Sequence, residues 1–284
     1  MAKKAATTTN RRRGAESGGL TARTADRYAL YQTAVQEPEP DLDFLDRVYR
    51  KRFGALPASL REDFAGTALT ASEWVKRRAS NTAVAVDLDP VPLAWFDANI
   101  APKMTPAQRA RLTILRDDVM SKQARTRDGY DAIFAFNFSY WIFKQRATML
   151  DYFRSVRASL GTKGLFLLDH FAGSETMEEV TDRTRKKGFT YVWDQKRFDP
   201  ISGNLIAEIG FEFKDGTKWP GAFHYDWRLW TIPELRDVLN EAGFAKVEVY
   251  MEKDDKNGVG TGVYVLRRSA PADRALISYI VAEP

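Results

Sequence analysis

Residues 59–77 read "SLREDFAGTALTASEWVKR". The first six residues have the character of a short strand that carries two acids, Glu62 and Asp63, at its end. The chain then turns on one glycine, Gly66, and opens into a helix over 67–79. In open α/β sheets ligands collect beyond the carboxyl ends of the strands, so a strand-to-helix turn with a carboxylate at its tip marks a binding rim. What binds there depends on the other strand tips.

Downstream the same rhythm repeats. "TAVAVD" is an apolar strand followed by a helix over 90–99 that Pro90 opens. "LTILRD" and "YDAIFAF" are strands, and 145–160 is a helix with Met149, Phe153, Val156 and Leu160 on one stripe and Gly161 as its expected stop. "GLFLLDHF" is the fifth strand. Continuous apolar strands alternating with helices predict a mostly parallel sheet covered on both faces. After residue 188 the rhythm breaks. "FTYVWDQKRF", "NLIAEIGFEF" and "KWPGAFHYDWRLW" are strand-like and are separated by "DPISG" and by "DG", a two-residue hairpin signal. They predict an antiparallel meander inserted over 188–230. Thr231 and Glu234 then form a capping box for a helix that Gly243 closes. "AKVEVYM" and "TGVYVLRR" complete a seven-stranded sheet, and "ALISYIVAEP" reads equally as an extra strand or a surface segment.

The expected organisation is a tail over 1–24, N-terminal helices over 25–54, an α/β core over 55–187, the insertion over 188–230 and the rest of the core over 231–284. The N-terminal stretch 26–53 divides into two helices at Pro38 and Pro40. Residues 1–27 hold seven Lys/Arg and two acids, which is the whole of the formal net charge of +5. A neutral body behind a basic, Thr- and Gly-rich tail predicts a disordered tail and no specific nucleic-acid partner. The chain has no cysteine and two histidines, which excludes thiolate chemistry and argues against a multi-histidine metal site; a carboxylate-only site stays open, and no metal is expected. No apolar run reaches 18 residues and the first residues lack a secretory h-region, so a cytoplasmic protein with no membrane contact is expected.

Every strand tip carries an acid or an amide: Glu62 and Asp63, Asp87, Asp117 and Asp118, Asn137, then Asp169 and His170. Such a rim suits a ligand rich in donors, such as an amine, ribose hydroxyls and a base amine. Asp87, about 20 residues beyond the glycine turn, is placed as a ribose clamp. A pyrophosphate would require a turn of bare backbone amides, and "EDFAGTA" has one glycine and two acids.

These residues resemble the class I S-adenosylmethionine-dependent methyltransferases, with their Rossmann-like fold, over roughly residues 55–267. "EDFAGTA" is similar to the family's acid-x-G-x-G-T-G turn, with Phe64 and Ala68 where glycines are usual. The resemblance implies S-adenosyl-L-methionine as cofactor. It places Glu62 or Asp63 and Gly66 at the methionine part, Asp87 on the ribose with Leu88 against the adenine, Asp118 at the adenine amine with Val119 beside it, and Asn137 near the reacting methyl. Tyr28 and Tyr31 would belong to a lid. The expected reaction is in-line displacement of the methyl group by a small-molecule acceptor, with Tyr140, Asp169 and His170 as candidate bases. Trp141, Tyr225 and Arg228 are candidate acceptor contacts. On strand alternation Arg228 shares the more polar face of "HYDWRLW" and is placed to clamp an acidic acceptor. The rival readings are a non-catalytic protein that binds the same cofactor and, disfavoured by the missing glycines, a nicotinamide-dependent reductase.

Overall fold

The computed structural model describes residues 19–124, 129–254 and 260–284. The eighteen N-terminal residues that carry most of the basic tail lie outside them. Residues 19 and 20 lead into a turn at 21–24 that docks on the rest of the chain through the Ala22 N–H, which donates to Thr217 Oγ1 at 3.0 Å.

Two helices follow, α1 (Arg27–Val35) and α2 (Pro38–Phe53). Pro38 and Pro40 do not interrupt α2. They sit in its first turn, where a missing N–H costs nothing. The core then alternates β1 (Ser59–Asp63), α3 (Leu69–Arg77), β2 (Thr82–Asp87), α4 (Pro90–Asn99), α5 (Pro106–Arg109), β3 (Leu112–Arg116), β4 (Tyr130–Ala135), α6 (Arg146–Arg157) and β5 (Leu160–Ala172). Asp89 caps α4 by accepting from the Val91 N–H, and Pro90 takes the first helical position. Helix α6 stops earlier than Gly161 suggested. Its C-cap is Ala158, and Gly161 lies inside β5.

The main sheet has eight strands, not seven. Its order is β3-β2-β1-β4-β5-β12-β10-β11, where β10 is Lys246–Asp254, β11 is Gly260–Arg267 and β12 is Leu276–Glu283. Strands β1 to β5 run parallel, and β12 enters antiparallel between β5 and β10. The ambiguous C-terminal run is therefore a central strand, with Ser278 to Ala282 buried, and "TGVYVLRR" is the exposed edge. Helices cover both faces. One face buries α6 and α7 (Ile232–Glu241) against Ile133, Phe166 and Leu168. The other buries α2, α3 and α4 against Leu60, Phe134 and Leu167.

The inserted sheet has four strands in the order β6-β7-β8-β9. Strands β7 (Phe189–Phe198) and β8 (Asn204–Phe213) match the expected runs, and β9 (Lys218–Arg228) ends two residues short of the third. Strand β6 (Thr181–Arg185) moves the start of the insertion upstream of 188. Its five residues are all exposed, so it carries no apolar alternation to read. It forms because β7 offers an open edge, which β6 pairs from Thr181↔Asp194 to Arg185↔Thr190. Helix α1 packs on this sheet through Leu30, against Phe189, Ile209, Phe211 and Phe213.

Candidate active site

Strand order reverses between β1 and β4, so the crevice of the sheet lies where the glycine turn meets the end of β4. The turn after β1 is built under strain. Phe64, Gly66 and Ala68 all adopt left-handed backbone, at φ of 56°, 54° and 51°. For the two side-chain-bearing residues this costs of order 1–2 kcal/mol each, and such strain persists only where the surroundings hold it. Phe64 is held by Phe143 and Tyr152, with ring centroids 5.8 and 5.7 Å away. Ala68 is fully buried. Gly66 donates its N–H to Asp87 Oδ2 at 2.6 Å, which ties the turn to the tip of β2. A Cβ on Gly66 would meet nothing within 4 Å, so the space above the turn is open.

The two acids of β1 have opposite fates. Glu62 accepts from the Ala71 N–H at 2.8 Å and so caps α3 beneath the turn; burial pushes its carboxyl up to about 7. Asp63 is 1% exposed and turned into the core. It accepts from Arg61 Nε at 2.6 Å and from the Tyr152 hydroxyl at 2.9 Å, leaving it no face toward the crevice. Of this pair only Glu62 belongs to the turn.

Asp87 accepts from Gly66 N–H through one oxygen and from Asp89 N–H through the other, and remains half-exposed at the lip. Leu88 beside it is 68% exposed, an apolar side chain displayed on the rim. Asp118 accepts from the Met120 N–H at 2.8 Å and is exposed at the lip of β3. Val119, by contrast, is buried, and its carbonyl receives the Arg61 guanidinium.

At the end of β4, Asn137 and Phe138 are both left-handed, at φ of 58° and 54°. Their N–H groups converge on the Asp169 carboxylate at the end of β5, at 2.7 and 3.0 Å. Despite these donors, burial raises the Asp169 carboxyl to about 7. Behind it lies a buried layer. The Tyr140 hydroxyl donates to the Asp169 carbonyl at 2.9 Å and is 3.1 Å from His170 Nδ1. Tyr140, Trp141 and His170 are each fully buried. Burial drops His170 to about 3, so its imidazole is neutral.

In front of Asp169 lies a cavity of about 1060 Å³. Asn137, Phe138 and Asp169 form its floor, Tyr191, Trp193, Tyr225 and Trp227 of the inserted sheet its roof, and Tyr264 and Tyr279 of β11 and β12 one wall. Tyr31 of α1 and Asp41 of α2 complete it. Of the sequence candidates, Asn137, Asp169 and Tyr225 line this cavity. Tyr140, His170 and Trp141 do not; they support its floor, with Trp141 edge-on to Trp227 at 5.7 Å. Arg228 is also outside. Its guanidinium donates to the Lys144 carbonyl at 3.0 Å and to Glu234 at 3.2 Å, and stacks 3.8 Å over Trp230. Asp194, the meander acid on β7, pairs with Lys196 and Thr181 and not with Arg228. The aromatic face of β9 points inward and the charged face outward, because burying a Trp and a Tyr is favourable and burying Arg228 and Asp226 is not.

The residues the sequence reading missed come from far along the chain. Tyr279 carried no signal beyond an apolar run, and Asp41 looked like one more acid in a helix. Tyr279 donates to Asp41, whose carboxyl burial raises to about 6. Helix α1 crosses the top: Gln32 donates to Thr67 at 2.7 Å and Trp95 donates to Asp26 at 2.7 Å, so the helix spans from the glycine turn to α4. Tyr31 faces the cavity from it, whereas Tyr28 packs on Trp95 and Phe223.

Three buried carboxyls with raised pKa make stability depend on pH in a definite sense. The folded state binds protons at Glu62, Asp169 and Asp41 that the unfolded chain has already released. Their contribution is therefore present at low pH and lost as pH rises through about 6 to 7. Carboxylates held below their usual range, such as Asp194 and Glu248, act oppositely but only in more acidic solution. The melting temperature of the ligand-free protein is expected to fall by several degrees between about pH 5 and 8. Calorimetry showing a flat or rising Tm across that window would contradict these assignments.

Among the described residues, no cluster of three or more Asp, Glu or His side chains could hold a metal ion, and no helix is long and apolar enough to cross a membrane. Neither a protein-family model nor a curated protein sequence matches the chain. Solved structures do. An S-adenosylmethionine-dependent methyltransferase from Clostridium acetobutylicum is similar over 90% of this chain and 98% of its own, with a TM-score of 0.61 and 13% identity. CalS10, an amino pentose methyltransferase from Micromonospora echinaspora, covers 90% and 96% at 0.61 and 14%. KedS8, a sugar N-methyltransferase from Streptoalloteichus, covers 100% and 99% at 0.58 and 16%. At such identities the likeness is one of fold: this chain has the fold of the S-adenosylmethionine-dependent methyltransferases.

Proposed function

We propose that the chain binds S-adenosylmethionine at the tips of β1 to β4 and transfers its methyl group to a small molecule held in the cavity. The observation that carries this reading is the position of the cavity. It opens onto Asn137 and Phe138, at the end of β4, where the resemblance puts the reacting methyl, and onto Asp169 of β5 beside them. The rim fits the cofactor. The open space over Gly66 accommodates the methionyl part, the Asp87 carboxylate suits ribose hydroxyls, exposed Leu88 suits an adenine face and Asp118 its amine. When bound, the cofactor supplies an electrophilic methyl on a good leaving group. The chain's task is then alignment and exclusion of water, worth about 7–11 kcal/mol in well-oriented systems. Helix α1 and the inserted sheet close the site for that purpose. The sugar and amino sugar methyltransferases among the similar structures support a small-molecule acceptor.

Calorimetry should give low-micromolar to submillimolar affinity for S-adenosylmethionine and far weaker binding of nicotinamide dinucleotides. Asp87→Ala removes hydrogen bonds to ribose worth about 0.5–1.5 kcal/mol each, so cofactor affinity should drop roughly tenfold. Unchanged binding in that variant would remove the ribose role. Transfer of label from methyl-labelled cofactor into a small-molecule extract tests catalysis; cofactor binding with no transfer to any fraction would favour a non-catalytic binding protein.

A further inference from the structure

The charge on the cavity wall is one-sided. Among the described residues six carboxylates line it, from Glu37, Asp41, Asp169, Asp182, Glu252 and Asp273, against a single cation, Arg267. Asp182, Glu252 and Asp273 stand on β6, β10 and the β11–β12 connection, away from the strand tips that hold the cofactor, so they are not explained by the sulfonium. The roof is aromatic, and Asp182 stands beside it, paired with Trp193 across β6 and β7. Tyr225 and Trp227 lie 4.2 Å apart at 31°, and Trp193 stands 6.2 Å from Trp227 at 33°. Aromatic rings and carboxylates lining one cavity are the surroundings of an organic cation, attracted both by charge and by the ring faces. An anion would meet repulsion from most of the wall, and Arg228, the arginine expected to hold one, is engaged outside.

We infer that the acceptor is a small amine, protonated in solution, held between this aromatic roof and the carboxylates, and that its nitrogen is the atom methylated. The inference rests on the methyl-transfer reading and narrows it. An ammonium has no lone pair, so it must first lose a proton. Asp169 is placed on the cavity floor to take it, and its carboxyl, raised by burial to about 7, is suited to that exchange. The step gives R–NH2 and a neutral Asp169 carboxylic acid. The nitrogen pair then forms the N–CH3 bond while the pair of the cofactor's C–S bond stays on sulfur, leaving R–NH2⁺–CH3 and a neutral thioether. Positive charge passes from sulfur to nitrogen, and Asp169 returns its proton to water.

The test uses 2-phenylethylamine as cationic probe, with 2-phenylethanol and 3-phenylpropionate as its neutral and anionic counterparts. Binding to the full chain is followed at neutral pH by tryptophan fluorescence, with and without S-adenosylhomocysteine. The amine is expected to bind about tenfold or more tightly than the alcohol, and the carboxylate more weakly than either. The double variant Asp182→Asn/Glu252→Gln, at the cavity rim and away from Asp169, should weaken the amine about three- to tenfold and leave the alcohol unchanged. Carboxylate binding as tight as that of the amine, no amine binding, or equal losses for all three probes in the variant would overturn the inference. Cofactor calorimetry on the same preparation separates the two readings. Intact cofactor binding with no amine preference removes only this inference, whereas lost cofactor binding removes the methyl-transfer reading whatever the probes do.

Discussion

Asp169→Asn should lower methyl transfer to the acceptor by about 10²–10⁴-fold, the usual contribution of a positioned base. The variant keeps a side-chain carbonyl that can accept one of the two N–H groups from Asn137 and Phe138, now at 2.7 and 3.0 Å. It cannot take a proton. Cofactor affinity should change little, because in the proposed reading most cofactor contacts lie at the tips of β1 to β3. The wild-type rate should rise with pH until Asp169 is ionised, near pH 7, and that step should be missing from the variant. Kinetics of both proteins on the same labelled acceptor fraction decide the matter. Turnover kept within about threefold, or a cofactor affinity that falls in step with turnover, would show that Asp169 does not handle the proton.

The second large effect concerns stability. Asp63→Ala should destabilise the fold by about 3–5 kcal/mol, the range for breaking a buried ion pair from one side. Arg61 and Asp63 are both essentially unexposed, and a guanidinium does not lose its proton. With Asp63 gone, Arg61 would lose its counter-charge and keep the Ser159 hydroxyl and the Val119 carbonyl, and the Tyr152 hydroxyl would lose the Asp63 acceptor. At this chain length the change corresponds to a fall in Tm of roughly 10 °C. Replacing both partners, Arg61→Met with Asp63→Leu, should recover much of the loss, since no charge then stays buried. A mild effect of the single substitution in chemical denaturation would mean that Asp63 is not the structural acid and that it, not Glu62, serves the turn.

This pair shows where reading the sequence stops. "REDF" announces a strand ending in acids, and nothing within it says which acid faces the crevice. Alternation allows both answers, and the choice was made by Tyr152, 89 residues away in sequence. The departures from the family's glycines were legible as residues but not as conformations. The turn keeps its left-handed backbone at Phe64 and Ala68 because Phe143, Tyr152 and a fully buried alanine site hold it there.

What the sequence determined by itself is local. The alternation of apolar strands and helices, the Pro90 start of α4, the Thr231–Glu234 capping box and the Asp215–Gly216 hairpin each depend on residues within one or two turns of chain, so their physics is complete in a short window. Tertiary structure decided everything that required distant partners. It set "LISYIVAE" between β5 and β10 because a run apolar on both faces is stable only in the middle of a sheet, and left "TGVYVLR" at the edge. It recruited the polar β6 to an open edge. It turned Tyr225 and Trp227 inward and Arg228 outward, because aromatic area gains by leaving water and a guanidinium does not. That last choice reversed the expected charge of the site: the cavity is lined by six carboxylates gathered from five separate stretches of the chain, a sum that no one of them displays.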